Sequence, residues 1–346
     1  MKVLLTGGAG FIGSHVVDFL LEEGHQVCVV DALTYAGRED NLSGARQHAS
    51  FSFHHGNIGD QALLAHLFET VQPESVIHAA AESHVDRSID DASVFVKTNV
   101  EGTYQMLEAA RHYYETLSPQ AKTSFRFLHF STDEVFGAMT AAGEANEQSP
   151  YAPRSPYAAS KASADHFVRA YHVTHGLPVL LVHPSNNYGP RQFPEKLLPV
   201  VLMNILQKKP IPLYGDGKQE REWLYVEDCV RGVLAVLHHG QIGASYCLGP
   251  GSTTTNIDIV HSLCGWMDRL RPDPEGPYTR LIHAVQDRPG HDRRYCLDTT
   301  KVRKTLGWSP HVALEEGLEK TVRWYLDHHV FLIGPHKRLG LRHGMH

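Results

Sequence analysis

Two carboxylic acids stand side by side at Asp133 and Glu134, in the run Ser131-Thr132-Asp133-Glu134, and Tyr157-Ala-Ala-Ser-Lys161 follows downstream. A tyrosine four residues ahead of a lysine on a helix shares a face with it. An ammonium in that place can lower the phenol's pKa and make it a usable base near neutral pH. Two adjacent carboxyl groups tend to separate their pKa values, as an acid and a base need. Hydride transfer joined to an acid/base elimination is the chemistry these types and spacings suggest.

Gly7-x-x-Gly10-x-x-Gly13 comes directly after an apolar run at residues 2–6, and Asp31 ends the next apolar run. Glycines there permit a tight turn and close backbone approach, with a helix N-terminus facing a pyrophosphate. Asp31 can accept hydrogen bonds from ribose hydroxyls and would repel a 2'-phosphate, which favours NAD over NADP. Asn57 and Ile58, ending the third apolar run, either border the adenine or form a plain loop.

The elements that must position these residues alternate. Strands are expected at 2–6, 26–31, 51–58, 75–80, 125–131 and 179–183. Helices are expected to about residue 23 and over 61–71, 93–114 and 157–175. That alternation implies an α/β fold, a Rossmann-type doubly wound parallel sheet with helices on both faces. Beyond residue 189, prolines and glycines break up shorter elements, with helices expected at 228–238, 257–270, 300–306 and 314–328. Three units are therefore assigned. Residues 1–188 form the NAD-binding domain with the catalytic residues. Residues 189–330 form a smaller mixed α/β substrate lobe, some segments of which rejoin the first unit. Residues 331–346 form a basic tail.

Composition narrows the class. The chain has 346 residues, 42% hydrophobic and 20% charged, with a formal charge of -6. Those values fit a globular protein, and without a basic block they exclude a nucleic-acid surface. No signal-peptide pattern and no membrane-length apolar run appears. The five scattered cysteines read as reduced thiols of a cytoplasmic protein, and the 25 histidines show no ligand spacing for a metal.

The glycine spacing, the Tyr157/Lys161 pair and Asn99 on the long helix together resemble the extended short-chain dehydrogenase/reductases. The resemblance narrows with Ser131-Thr-Asp-Glu-Val-Phe-Gly137, Ala81-Glu-Ser-His-Val-Asp-Arg-Ser-Ile89, Asn186-Asn-Tyr-Gly-Pro190 and Phe193-Pro-Glu-Lys196. Tyr214-Gly-Asp-Gly217, Trp223-Leu-Tyr-Val-Glu-Asp228 and Asp287-Arg-Pro-Gly-His-Asp-Arg-Arg-Tyr295 continue it. In that order they are similar to the nucleoside-diphosphate-glucose 4,6-dehydratases, the deoxythymidine branch above all, over about residues 2–327.

The resemblance implies a mechanism. Tyr157, aided by Lys161, takes the proton of the hexose 4-hydroxyl while NAD accepts the C4 hydride. Glu134 removes the C5 proton, Asp133 protonates the departing 6-hydroxyl, and the hydride returns to C6. Thr132 hydrogen-bonds the C4 oxygen. Further cofactor contacts are implied for Phe11, Ile12, Thr34, Ala79, Ala81 and Asn99, the last also kinking its helix and holding a relay water. Ser83, Asn187, Lys196, Leu197, Tyr214, Arg221, Asn256, Arg288 and His291 are implied to bind the nucleoside-diphosphate hexose. Asn57, Phe136 and Arg191-Gln192 depart from the pattern, replacing aspartate, tyrosine and Tyr-His. Glutamine is also found in relatives that act on UDP-glucose, so that sugar nucleotide stands as the alternative substrate. A 4-epimerase or a silent NAD-binding scaffold would leave Asp133 and Glu134 without a task. Helices 93–114 and 157 onward carry apolar residues on more than one face, which points to a homodimer.

Overall fold

The computed structural model describes residues 1–140 and 142–333. Of the tail expected at 331–346, residues 334–346 lie outside the described residues, while Phe331 and Leu332 are buried on a short helix, His329–Ile333, against the second core. Six strands follow in chain order: β1 (Lys2–Thr6), β2 (Gln26–Asp31), β3 (Phe51–His55), β4 (Ser75–His78), β5 (Arg126–Phe130) and β6 (Val179–Pro184). Three more come next, β7 (Asn186–Tyr188), β8 (Ile211–Tyr214) and β9 (Glu220–Tyr225). The last are β10 (Ser245–Leu248), β11 (Thr253–Thr255) and β12 (Ile282–Val285).

The main sheet has seven strands in the order β10-β6-β5-β4-β1-β2-β3, and every pairing in it is parallel. Burial on both faces explains the unbroken apolar runs: Val3, Leu4, Leu5, Val29, Val30, Val76 and Ile77 are all fully enclosed. After β1 the chain winds outward through β2 and β3, then restarts at β4 on the other side of β1. The crevice between the C-terminal ends of β1 and β4 is thus a topological switch point, where ligands of such sheets bind.

Helices flank the sheet as their signals require. Ser155 caps the Pro156–His175 helix by accepting from the Ala158 N–H, and Pro156 opens its first turn. Gly176, at φ 67°, ends it. The helix expected at 93–114 is not uniform. A π segment, Val96–Gly102, lies between Ser93–Phe95 and Thr103–Thr116, and Asn99 is at its centre. Such a bulge adds a residue to one turn and re-aims a side chain.

A second core forms around Leu198, Val201, Ile205, Ile259, Leu263, Leu318 and Val322, beside a three-stranded sheet β11-β9-β7 and the pair β12-β8. The Val226–His239 helix and β10 do not join that core. Val230, Val233, Leu237, Tyr246 and Leu248 pack with the main sheet. Among the described residues no helix is long and apolar enough to cross a membrane, and all five cysteines are buried and unpaired.

Candidate active site

The glycine loop sits at the end of β1 because a side chain there would collide with the backbone. A Cβ on Gly13 would stand 2.1 Å from the Gly7 carbonyl oxygen, and one on Gly7 would stand 2.7 Å from Ala80. Gly7 also adopts φ 74°, a conformation that favours glycine. Asp31, ending β2, accepts hydrogen bonds from the N–H groups of Ala9 (2.9 Å) and Leu33 (2.8 Å). It is thereby pinned at the mouth of the switch-point crevice.

From that loop one cavity of about 370 Å³ runs to the ends of β5 and β6. Gly7, Gly10, Phe11, Ile12, Gly13, Asp31, Thr34, Asn57, Ile58, Ala79 and Ala81 line one end, and Thr132, Asp133, Glu134, Tyr157 and Lys161 line the floor. Ser83, Asn187, Lys196 and Leu197 complete the wall. Asn99 stands behind it. Its side chain accepts from the Glu82 N–H (2.9 Å) and donates to the Glu82 carbonyl (3.0 Å) and to Ser160 Oγ (2.9 Å). The π segment therefore ties the Tyr157 helix to the loop after β4.

Thr132 caps a short 3₁₀ turn, Asp133–Phe136, its hydroxyl accepting from the Glu134 N–H and donating to Asp133 Oδ1 (3.1 Å). The two acids then meet different surroundings. Burial pushes the Asp133 carboxyl up to about 8, and the charges of Glu134 and Glu222 add to the effect. Burial raises Glu134 as well, while Arg288, Lys196 and Arg221 pull it back down. Asp133 is thus kept protonated, and Glu134, though also raised, is the one of the two that nearby cations draw toward the carboxylate.

One expectation is corrected. Lys161 does not bring the phenol down: burial holds Tyr157 above its ordinary value, and the charge of Glu134 raises it further. The hydroxyl of Thr132 acts in the opposite sense by hydrogen bonding. Lys161 is itself lowered to about 8 by burial, and its Nζ donates to the Phe130 carbonyl instead. Removal from water outweighs the attraction that helical spacing suggests.

The remaining substrate candidates do not line this cavity. Arg288 pairs with Asp86 Oδ1 at 3.0 Å, and the Tyr214 hydroxyl donates to the other oxygen of the same carboxylate at 3.1 Å. His291 is held by Asp287 at 2.6 Å with its ring edge-on to Tyr214. Arg221 is buried, donates to the carbonyls of Glu220 and Asp292, and lies over the Tyr295 ring. Asn256 opens the Asn256–Leu270 helix, half-buried. Arg288, Arg221 and Lys196 still reach Glu134 electrostatically, so a cationic rim stands beside the acidic pair.

The cavity also contains residues that motif spacing alone did not single out. Glu195, Ser185 and Gln192 line it, and burial raises Glu195 to about 7. The signal was present, since Glu195 lies inside the quoted Phe193-Pro-Glu-Lys196 run and Ser185 adjoins Asn186. Asp133 Oδ2, Ser185 Oγ, Asn187 Oδ1, Gln192 Oε1 and Glu195 Oε2 are all buried without a hydrogen-bond partner. A row of unpaired polar atoms along one cavity suits a ligand rich in hydroxyls. Among the described residues, one trio, Glu23, His25 and His238, is close enough to share an ion. It lies on the outer ends of two helices and takes no part in the cavity.

The model of the GDP-mannose 4,6 dehydratase family matches residues 4–321. A dTDP-glucose 4,6-dehydratase of Xanthomonas campestris pv. campestris is 48% identical over 332 residues, covering 96% of this chain and 95% of that one. The Escherichia coli (strain K12) dTDP-glucose 4,6-dehydratase 1 is 47% identical, covering 94% and 93%. Among solved structures, DesIV, a dTDP-glucose 4,6-dehydratase from Streptomyces venezuelae with NAD and TYD bound, superimposes with a TM-score of 0.85. It has 44% identity, covering 94% of this chain and 97% of that one. The Thermus thermophilus UDP-glucose 4-epimerase with NAD gives a TM-score of 0.83 at 29% identity, covering 94% and 99%.

Proposed function

The chain belongs to the GDP-mannose 4,6 dehydratase family, and on that footing we propose that it dehydrates dTDP-glucose to dTDP-4-keto-6-deoxyglucose and water, with NAD as a retained cofactor. The observation that carries this reading is the single cavity that joins the Gly7–Gly13 loop to Asp133, Glu134, Tyr157 and Lys161. The fold it shares with epimerases does not distinguish the reactions. The acidic pair does, because 4-epimerisation has no use for a proton donor at O6 or a base at C5.

NAD would be held by the glycine loop, Asp31 and the cavity wall, where it would supply a reversible two-electron acceptor for the hexose. The chain's own groups move the protons. Tyr157, in the phenolate form that burial and Glu134 oppose and the Thr132 hydroxyl favours, takes the proton of the 4-hydroxyl, and Thr132 holds the C4 oxygen as charge develops on it. The 4-ketone acidifies C5, from which Glu134 takes the proton. Asp133, protonated at neutral pH because burial raises it to about 8, gives its proton to the leaving 6-hydroxyl. Glu134 then returns its proton to C5. Lys196, Arg221 and Arg288 are proposed to face the diphosphate, where cations suit an anion of that shape. Tyr214, Asn256 and His291 are proposed on the nucleoside side.

The division into a cofactor domain (1–188) and an interrupted substrate lobe (189–330), some of whose segments rejoin the first, is proposed with this assignment. We also propose a homodimer in the cytoplasm. Val96, Tyr104, Phe167 and Val173 are exposed on the Ser93–Thr116 and Pro156–His175 segments, an apolar stripe that a second copy would cover. Five buried unpaired thiols suit a reducing compartment. Incubation with dTDP-, UDP-, CDP- and GDP-hexoses, read by mass spectrometry, tests the reaction. Loss of water from dTDP-glucose is expected. Water loss from another sugar nucleotide alone would move the assignment to that base, and an isomer of unchanged mass would overturn dehydration.

A further inference from the structure

Behind the cavity floor lies a layer of buried polar groups that the proposed chemistry does not use. Asp165 is at its centre, one helical turn beyond Lys161 and fully enclosed. Its Oδ2 accepts hydrogen bonds from Ser131 Oγ (2.5 Å) and the Tyr151 hydroxyl (2.8 Å). Its Oδ1 stands 3.4 Å from His129 Nε2. That same imidazole nitrogen is 3.4 Å from Lys161 Nζ. His183 faces Asp165 from β6 at 4.0 Å and meets the Thr132 carbonyl at 3.4 Å. Every catalytic segment therefore touches something that touches Asp165: Lys161 through His129, and the Thr132–Glu134 turn through Ser131 and His183.

His78, on β4, lies beside His129 with ring centroids 5.3 Å apart and planes tilted by 35°, and His183 completes the set. Burial pushes all three imidazoles below their ordinary value, His129 to about 4, so they are neutral at physiological pH. Arg169 reaches the Tyr151 hydroxyl at 3.0 Å on the far side. For Asp165, burial acts upward, but the His129 imidazole 3.4 Å from Oδ1 and the charge of Lys161 act downward and hold it below the usual carboxylate range. A full negative charge thus persists in a place without solvent. Such a charge is costly unless something opposite answers it. Lys161, equally enclosed and lowered to about 8, is drawn upward by Asp165 against the effect of burial.

We propose that Asp165 is a positioning residue for the reaction: acting across His129, its carboxylate keeps the enclosed Lys161 in the ammonium form, and through Ser131 and His183 it fixes the strand end that presents Thr132. That turnover needs Lys161 in the ammonium form rests on the dehydratase reading above. Asp165 itself never meets substrate. Its effect is a counter-charge one layer down, comparable to the carboxylate that orients a catalytic imidazole.

The test is the pH dependence of Asp165→Asn, whose amide is nearly isosteric and can still accept from Ser131 and Tyr151. A neutral residue there removes the attraction that holds the lysine's proton, so Lys161 loses its charge at lower pH. In ¹⁵N-lysine-labelled holoenzyme the Nζ resonance of Lys161 should titrate about one to two pH units below wild type. The alkaline limb of kcat/KM for dTDP-glucose should move down with it. Asp133 also titrates near pH 8, which is why the resonance and not the limb alone assigns the group. Asp165→Glu should keep the wild-type midpoint, and Asp165→Ser carries the same expectation as Asn should Asn fail to fold. A Lys161 midpoint unmoved in the neutral variants, with the whole rate profile merely scaled down, would overturn the proposal and leave Asp165 a structural residue. If wild type removes no water from dTDP-glucose, the functional reading fails instead, and the resonance still reports on Asp165.

Discussion

Replacing the proposed acid should make the protein more stable while disabling it. Asp133 titrates near its ordinary 3.8 in an unfolded chain and at about 8 when folded. The folded state therefore holds a proton that the unfolded state releases, and stability falls as pH rises between those values. Each unit of separation is worth about 1.4 kcal/mol. The site consequently costs nothing below pH 4, about 4 kcal/mol at pH 7, and about 5–6 kcal/mol above pH 8. Asp133→Asn removes the titrating group. Its amide can donate toward Glu134 and Glu222, the carboxylates that oppose ionisation of Asp133. Urea unfolding of both proteins at pH 5, 7 and 8.5 should show the variant ahead, with a gap that widens by roughly 3 kcal/mol between pH 5 and 7. Dehydration by the variant should fall by about 10²–10⁴-fold, the range of a lost general acid. A stability gap that stays constant with pH, or that narrows as pH rises, would refute the claim that burial keeps this carboxyl protonated.

Glu134→Gln should leave C4 oxidation intact and block elimination, so that stopped-flow absorbance shows reduced nicotinamide accumulating and persisting; normal turnover would remove Glu134 as the C5 base. Gly13→Ala places a methyl group where the Gly7 carbonyl already stands, 2.1 Å away, and should yield protein that retains no dinucleotide after purification, as read by chromatography of the acid-released cofactor. Phe167→Asp, on the exposed apolar stripe, should shift the mass measured by light scattering from two chains to one.

Much of the fold was legible because a parallel sheet writes itself locally. Strands buried on both faces need unbroken apolar runs such as Val27-Cys28-Val29-Val30, and short polar turns separate them from helices. The lobe beyond residue 189 was harder to read for definite reasons. The Leu197–Leu206 helix is apolar nearly all round, with Pro199 in its first turn, so it shows no helical period. The strands Asn186–Tyr188 and Thr253–Thr255 are three residues long, and both gain their pairing from β9, far away in sequence for at least one partner. The strand Ser245–Leu248 pairs with Leu181–Pro184 across two intervening helices and three strands. The inserted turn around Asn99 had no periodic signature, because it is fixed by hydrogen bonds to Glu82 and Ser160.

The site divides in the same way. Spacing placed Tyr157 and Lys161 on one face, yet could not weigh burial against charge, and so missed that the lysine is itself lowered. Nor can adjacency decide which of two neighbouring acids gives a proton and which takes one. That decision is made by residues from distant parts of the chain. Asp133 looks toward Glu222, a buried carboxyl on β9 that is itself raised to about 7, and so gains every reason to keep its proton. Glu134, the next residue, looks toward Lys196, Arg221 and Arg288. Arg288 is aimed there by Asp86, 202 positions earlier in the chain. The same rim of cations suits the diphosphate of the proposed substrate. On the proposed assignment, a diphosphate that engages those cations would weaken their hold on Glu134 and make it a stronger base.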